Sequence, residues 1–268
     1  MTYNDLPGVR WSHLKAMATS PKQYRHELEH PREDKPAYLI GRAIHCLVLE
    51  GAERYAETFT TYPGKARRGK AWEDFKATVG KGRDVLIASE AEQVGGCAAA
   101  VLSDPIAKQH LRDGLAEQTI QWTDEATGIL CKCRADAVNG HLVELKSTRN
   151  PEPDAFARDA HRFLYPGQLA FYEEGAKASG LKLGRPPALI TVGTEPPHDV
   201  VVYDELGEAL AAGRRLFRRL LDELAECQKT DTWPGAARGE AMTLHLPPWA
   251  IDDDEAPITF DGKAVFSG

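Results

Sequence analysis

"GILCKCRADAVNGHLVELKST", residues 128–148, is the stretch that decides the fold. Cys131, Cys133, Ala135 and Ala137 alternate with Lys132, Arg134 and Asp136, the period of a strand that lays one face on a core. Asn139-Gly140 marks a tight turn. Leu142, Val143 and Leu145 then give a second strand, which carries Glu144 and Lys146 two positions apart. Residues i and i+2 of a strand share a face, so Glu144 and Lys146 point the same way. Asp136 joins them only in some registers. A two-residue Asn139-Gly140 turn pairs Val138 with His141 and leaves Asp136 on the face opposite Glu144. A three-residue loop over 138–140, with Gly140 left-handed, pairs Ala137 with His141 and brings Asp136, Glu144 and Lys146 to one face. If the three act together, the loop is of that kind, or Asp136 sits at a bulge or beyond the regular ladder.

Outward from this hairpin, "QTIQWT" adds a strand before it, joined through "DEATG", to make a three-strand meander. "PDAFARDAHRF" and "YPGQLAFYEEGAKAS" read as helices, and "ALITVGTE" and "HDVVVYDE" as strands. "LGEALAAGRRLFRRLLDELAECQK" reads as a long amphipathic helix with Leu206, Leu210, Leu216, Phe217, Leu220 and Leu224 on its apolar side. The first hundred residues look helical. Ser12 can cap one helix, Pro21 suits the first position of the next, and "PAYLIGRAIHCLVLEG" is a mostly buried helix stopping at Gly51. A capping box, Ser89 with Glu92, opens a helix that ends near Asp104-Pro105. The pattern predicts an α/β (α+β) fold, a mixed sheet with a helical N-terminal elaboration. A single domain is expected over 1–245, followed by an acidic, loosely attached tail over 246–268.

The 268 residues are 42% hydrophobic and 27% charged, as in an ordinary soluble globular protein. No run approaches the roughly 18 apolar residues of a membrane span. The opening residues lack the apolar core of a signal peptide, so a cytoplasmic location is expected. The five cysteines lack the paired spacing of a zinc site and read as packing residues. Net charge is −7, which argues mildly against a nucleic-acid partner, but its distribution matters more. Lys65, Arg67, Arg68, Lys70, Lys76, Lys81 and Arg83 cluster in one stretch that could hold a phosphate backbone, while Asp252, Asp253, Asp254 and Glu255 cluster near the end.

Two carboxylates held together repel unless a cation lies between them. Hard oxygen ligands without a Cys or His pair favour Mg²⁺, with Mn²⁺ able to substitute. A lysine beside such a site can orient or help deprotonate the attacking water, or neutralise the transition state, which is phosphodiester hydrolysis. His45, on an otherwise apolar helix, is either a hydrogen-bonded core residue or a ligand. Gln168 and Tyr172 lie four apart on one helix face, with Tyr165 a turn earlier. Arg214, Arg215, Arg218 and Arg219 give the long helix a basic face that reads as solvated.

"GRAIH", "CKCRADAV", "LVELKST" and "YPGQLAFY", in that order, resemble the motifs of the RecB-like branch of PD-(D/E)xK nucleases. Within it, "WSHLKAMATSPKQYRHELEH", "LVLEG" and "RRGKAWEDF" look most like the RecE (exonuclease VIII) nuclease domain of phages and prophages. The resemblance spans roughly residues 10–225. It implies a PD-(D/E)xK restriction-endonuclease-like core, a sheet flanked by helices, with metal coordination by His45, Asp136, Glu144 and the backbone carbonyl of Leu145. Lys146 then acts on the water, and Gln168 and Tyr172 support the site. It also implies a Mg²⁺-dependent 5′-to-3′ exonuclease acting on double-stranded DNA ends, handing the exposed strand to a RecT-type annealing protein, and a homo-oligomeric ring, tetramer or trimer. Two departures from the pattern stand out: Ala135 replaces the proline before Asp136, and the second acid is Glu144, whose longer arm shifts the site. The four cysteines of the iron–sulfur members are missing. Endonucleolytic, flap or single-strand cleavage by the same fold, and a non-catalytic DNA-binding adaptor, remain open readings.

Overall fold

The computed structural model describes residues 3–30, 36–246, 258–260 and 263–266. The elements run α1 (Trp11–Leu14), α2 (Pro21–Glu29), α3 (Pro36–His45), α4 (Gly51–Thr58), β1 (Phe59–Tyr62), α5 (Lys70–Ala77), β2 (Asp84–Ile87), α6 (Ala88–Ser103) and α7 (Pro105–Leu111). They continue with β3 (Leu115–Thr123), β4 (Leu130–Val138), β5 (Leu142–Thr148), α8 (Pro153–Phe163), α9 (Tyr165–Ala178), β6 (Ala188–Gly193), β7 (Val200–Tyr203) and α10 (Gly207–Thr230). β8 (Ile258–Phe260) and β9 (Lys263–Phe266) form a separate antiparallel pair, and the acidic run at 252–255 lies outside the described residues.

β3 to β7 form one sheet in sequence order. Its pairs are antiparallel except β5 with β6, whose connection runs through α8 and α9. This is the expected mixed sheet flanked by helices. β6 is buried along its whole length, and its sequence is apolar but for Thr191, whose hydroxyl donates to the Val201 carbonyl (3.2 Å). One core joins Cys131, Cys133, Ala135 and Leu142 to Phe171 of α9 and Phe217 and Leu220 of α10. The other joins Val143, Leu145, Ile190 and Val192 to Ile44 of α3 and to Val94 and Val101 of α6. The sheet is therefore sandwiched between α9 with α10 and α3 with α6. All five cysteines are free and buried, as packing residues are.

Glycines set how closely α9 approaches its neighbours. A Cβ on Gly167 would lie 2.3 Å from the Trp11 ring, one on Gly175 2.5 Å from the Trp122 ring, and one on Gly213 2.1 Å from the Pro166 carbonyl oxygen. Arg214 donates to Glu173 on α9 (3.1 and 2.7 Å), and Arg218 grips Asp124 at the β3–β4 turn (2.6 and 3.0 Å). Two of the four arginines of the long helix are therefore structural clamps, while Arg215 and Arg219 are not part of either clamp.

Several local expectations need correction. α1 begins at Trp11 with Arg10 at its N-cap, so Ser12 does not cap it. The next helix does start at Pro21, and Ser20 accepts from the Gln23 N–H (3.1 Å). α6 starts at Ala88, and the box residue is Glu90, which accepts from the Ile87 N–H (3.0 Å) and pairs with Arg67; Ser89 and Glu92 are not the cap. The N-terminal part is not wholly helical: β1 and β2 pair in parallel around α5. Four-residue strands carry too few alternations to announce themselves.

Candidate functional site

The turn between β4 and β5 decides where the carboxylates go. Ala137 pairs with Val143 and Val138 with Leu142, so the loop is three residues long but comprises Asn139, Gly140 and His141. Gly140 is left-handed (φ 61°) and the Asn139 N–H donates to the His141 carbonyl (2.9 Å). His141 belongs to the loop, not the strand, because its ring is buried against His110 (2.8 Å) and its Nδ1 meets the Asn139 carbonyl (2.7 Å). The register carried on by one residue would set Asp136 opposite Glu144, but the regular ladder stops at Ala137.

Beyond that point the strands separate. The Leu145 N–H donates to Asp136 Oδ2 (2.8 Å), a side chain standing in for the carbonyl a ladder would supply. On the other side, the β3–β4 register skips Glu117 opposite Asp136, and Glu117 is left-handed (φ 52°). A non-glycine residue held there costs about 1 kcal/mol or more and tends to occur at functional sites. Both interruptions fall at one level of the sheet.

His45 arrives from the opposite layer. α3 ends at His45, and a π-helical turn, Cys46–Glu50, follows before the break at Gly51 (φ 90°). Such widened turns are often found where a helix serves a site. His45 Nδ1 lies 3.4 Å from Asp136 Oδ1. Ligand atoms of His45, Glu117 and Asp136 all fall within 4.8 Å of one another. Glu144 stands beside this cluster, not in it. Its Oε1 accepts from Lys146 Nζ and Gln168 Nε2, while its Oε2 is buried with no hydrogen-bond partner. Gln168 Nε2 also donates to the Tyr172 hydroxyl (3.2 Å), and Lys146 Nζ sits 5.1 Å from the centre of the Tyr165 ring. The structure thus gathers His45, Asp136, Glu144, Lys146, Gln168 and Tyr172 at one place. Leu145, expected to offer its carbonyl, is tied in through its N–H.

Glu117 is the site residue that the sequence pattern does not announce, since the alternation "QTIQWT" begins at Gln118. Counting back from the turn at 124–129 sets Glu117 opposite Asp136, a signal usable once the β3–β4 register is known. Its carboxylate is held by Arg134 Nε at 2.6 Å.

The electrostatics suit a cation. Burial, then the Asp136 charge, pushes Glu144 up to about 7. Burial opposes ionisation of Asp136, but the neighbouring His45 and Lys146 outweigh it and hold its pKa low. Burial likewise opposes charge on His45, yet Asp136 lifts its pKa. One imidazole nitrogen, two carboxylates and the unpartnered Glu144 oxygen make a donor set that fits a hard divalent ion. Binding a cation must expel the protons on His45 and Glu144, so affinity for Mn²⁺ is expected to tighten as pH rises from about 6 to about 8. Glu117→Gln should weaken Mn²⁺ binding about 10-fold or more. Titration calorimetry at both pH values checks both statements, and a Glu117→Gln isotherm like the wild type's would remove Glu117 from the site.

No curated protein matches the chain in sequence. Among solved structures the chain is similar to the "Putative exonuclease" of Eubacterium rectale, a crystal structure at 2.19 Å resolution. The TM-score is 0.59 over 91% of this chain and 92% of that one, at 14% identity, which shows a shared fold. The protein SSO0001 superposes with a TM-score of 0.29, at 15% identity over 82% of this chain and 86% of that one, too loosely to carry weight. PD-(D/E)xK nucleases generally use divalent metals, and the carboxylate pair with Glu-x-Lys on adjacent strands is the arrangement their name describes. With that geometry in place, the match of residues 11–244 to the PDDEXK-like domain of unknown function (DUF3799) shows that the chain belongs to this family, within the PD-(D/E)xK nuclease superfamily.

Proposed function

We propose that the protein is a divalent-metal-dependent exodeoxyribonuclease that degrades one strand of linear double-stranded DNA. The observation that carries this reading is the placement of the partly buried Lys146 ammonium on the buried Glu144 carboxylate, beside the His45–Glu117–Asp136 cluster. Burial works against the charge on Lys146, but Glu144 and Asp136 outweigh it and hold its pKa above the ordinary value. Lys146 is therefore a charged donor at neutral pH. It orients the attacking water or neutralises a phosphate oxygen, and does not abstract a proton. Gln168 fixes the Glu144 carboxylate, and Tyr172, pushed well above its usual pKa by burial and by Glu144, stays a neutral phenol. A divalent cation here, Mg²⁺ by the hardness of its donors, supplies Lewis-acid stabilisation of the charge that builds on the scissile phosphate.

The finer assignment rests on the RecE-like motifs: 5′-to-3′ polarity, a place in phage-type recombination, hand-over to a RecT-type annealing protein, and a tetrameric or trimeric ring in the host cytoplasm. The "Putative exonuclease" of E. rectale supports the exonuclease part. No helix among the described residues is long and apolar enough to cross a membrane.

The test is digestion of a duplex labelled at each 5′ end and internally, linear or covalently closed, with Mg²⁺ or with EDTA. Mg²⁺-dependent release of 5′ nucleotides from the linear form, with the closed circle untouched, is the expected result. Cutting of the circle would replace the exonuclease by an endonuclease of the same fold. DNA binding without any turnover would leave a non-catalytic adaptor.

A further inference from the structure

The basic stretch ahead of the site folds into a unit of its own. β1, α5 and β2 form a parallel βαβ element around a small aromatic core, in which Tyr62 meets Trp72 at 5.3 Å and Phe75 at 5.2 Å between ring centres. From 59 to 87 the chain carries seven basic residues against three acidic ones, a net of +4 in a protein whose total is −7, so the remainder carries −11. Arg67 and Arg83 are consumed in holding the unit together, Arg67 on Glu90 and the Val85 carbonyl, Arg83 on the Val79 and Ala56 carbonyls. Lys65, Arg68, Lys70, Lys76 and Lys81 are exposed and form no ion pair among the described residues. Lys76 and Lys81 converge with Arg83, Gly80 and Gly82 on a cavity of about 470 Å³. A Cβ on Gly80 would come 2.8 Å from Val85, which keeps the cavity wall close to backbone, while the left-handed Gly82 (φ 76°) opens onto empty space.

The unit is coupled to the site. Asp84, in the same cavity wall, pairs with Arg42 at 3.1 Å. Arg42 lies three residues before His45 on α3, a rise of about 4.5 Å along the helix. We infer that the β1–α5–β2 unit is a phosphate-backbone grip for double-stranded DNA, holding the duplex beside the cleavage site through Lys70, Lys76 and Lys81. A glycine-lined, net-positive surface on an otherwise acidic protein offers sequence-independent attraction to a polyanion and repels it elsewhere. The inference rests on the reading of DNA as substrate.

The test uses the full chain and its Lys70→Gln/Lys76→Gln/Lys81→Gln variant. Binding of a fluorescent duplex of about 30 base pairs is measured in EDTA from about 50 to about 200 mM KCl, where no cleavage occurs. The variant should bind about 10-fold more weakly at about 100 mM, and the slope of log K against log salt should fall by about 0.9 for each phosphate no longer neutralised, so by ~2–3. In Mg²⁺ its KM for linear duplex should rise by a similar factor while kcat stays within about twofold, with circular dichroism melting unchanged. An affinity and slope equal to those of the wild type overturn the grip. A wild type that binds with the steep slope yet hydrolyses nothing removes the nuclease reading and leaves the grip standing.

Discussion

Lys146→Met is expected to lower phosphodiester hydrolysis by about 10²–10⁴-fold, the range for removing a positioned proton-transfer or charge-stabilising group. Methionine keeps an unbranched apolar stem and removes the ammonium that sits 5.1 Å from the centre of the Tyr165 ring. The same change removes the positive charge beside the buried Glu144, whose carboxyl is already pushed up to about 7 by burial and by Asp136. Between the ordinary carboxylate value and that raised one, the folded protein keeps a proton that the unfolded chain has lost. The Glu144 contribution to stability therefore falls as pH rises through this window and stays low above it. Losing Lys146 widens the window upward. In EDTA the variant should thus melt close to wild type at about pH 5.5 and clearly below it at about pH 8, since an unpaired buried charge costs up to ~3–5 kcal/mol. Rates on linear duplex and thermal melts at the two pH values give the answer. A variant retaining more than a tenth of the wild-type rate takes Lys146 out of the chemistry.

Gly213→Val should be the most damaging single change outside the site. A Cβ there would lie 2.1 Å from the Pro166 carbonyl oxygen and 2.4 Å from its carbon, and backbone atoms cannot turn aside as a side chain would. α9 and α10 must then part, loosening the Phe171–Phe217 contact (6.1 Å between ring centres) and the Arg214–Glu173 clamp. Overpacking of this kind costs about 3 kcal/mol or more. In a domain of this size that is a fall of roughly 6–12 °C in Tm. α9 carries Gln168 and Tyr172, so hydrolysis should also fall at temperatures where the variant is still folded. A melting point within about two degrees of wild type would mean that the helices do not approach this closely.

Much of the molecule was written locally. Alternation in 130–138 and 142–148 fixed two strands. The apolar stripe from Leu210 to Leu224 fixed α10, and the spacing of Glu144 and Lys146 put both on one face, because these patterns depend only on backbone periodicity. Gln168 and Tyr172 followed from helical spacing in the same way. The site's assembly was not local. The loop shifted by one residue because His141 packs on His110, a contact between residues 31 apart in sequence. Glu117 entered because a register break with a left-handed backbone turned it toward Asp136. The Arg214 and Arg218 guanidinium groups are held in place by Glu173 and Asp124, which sit on other elements. What the sequence by itself determined was which residues alternate along a strand and which share a helix face. Where strands stop pairing, and hence which carboxylates meet, is decided by long-range packing energy, which only the tertiary structure contains.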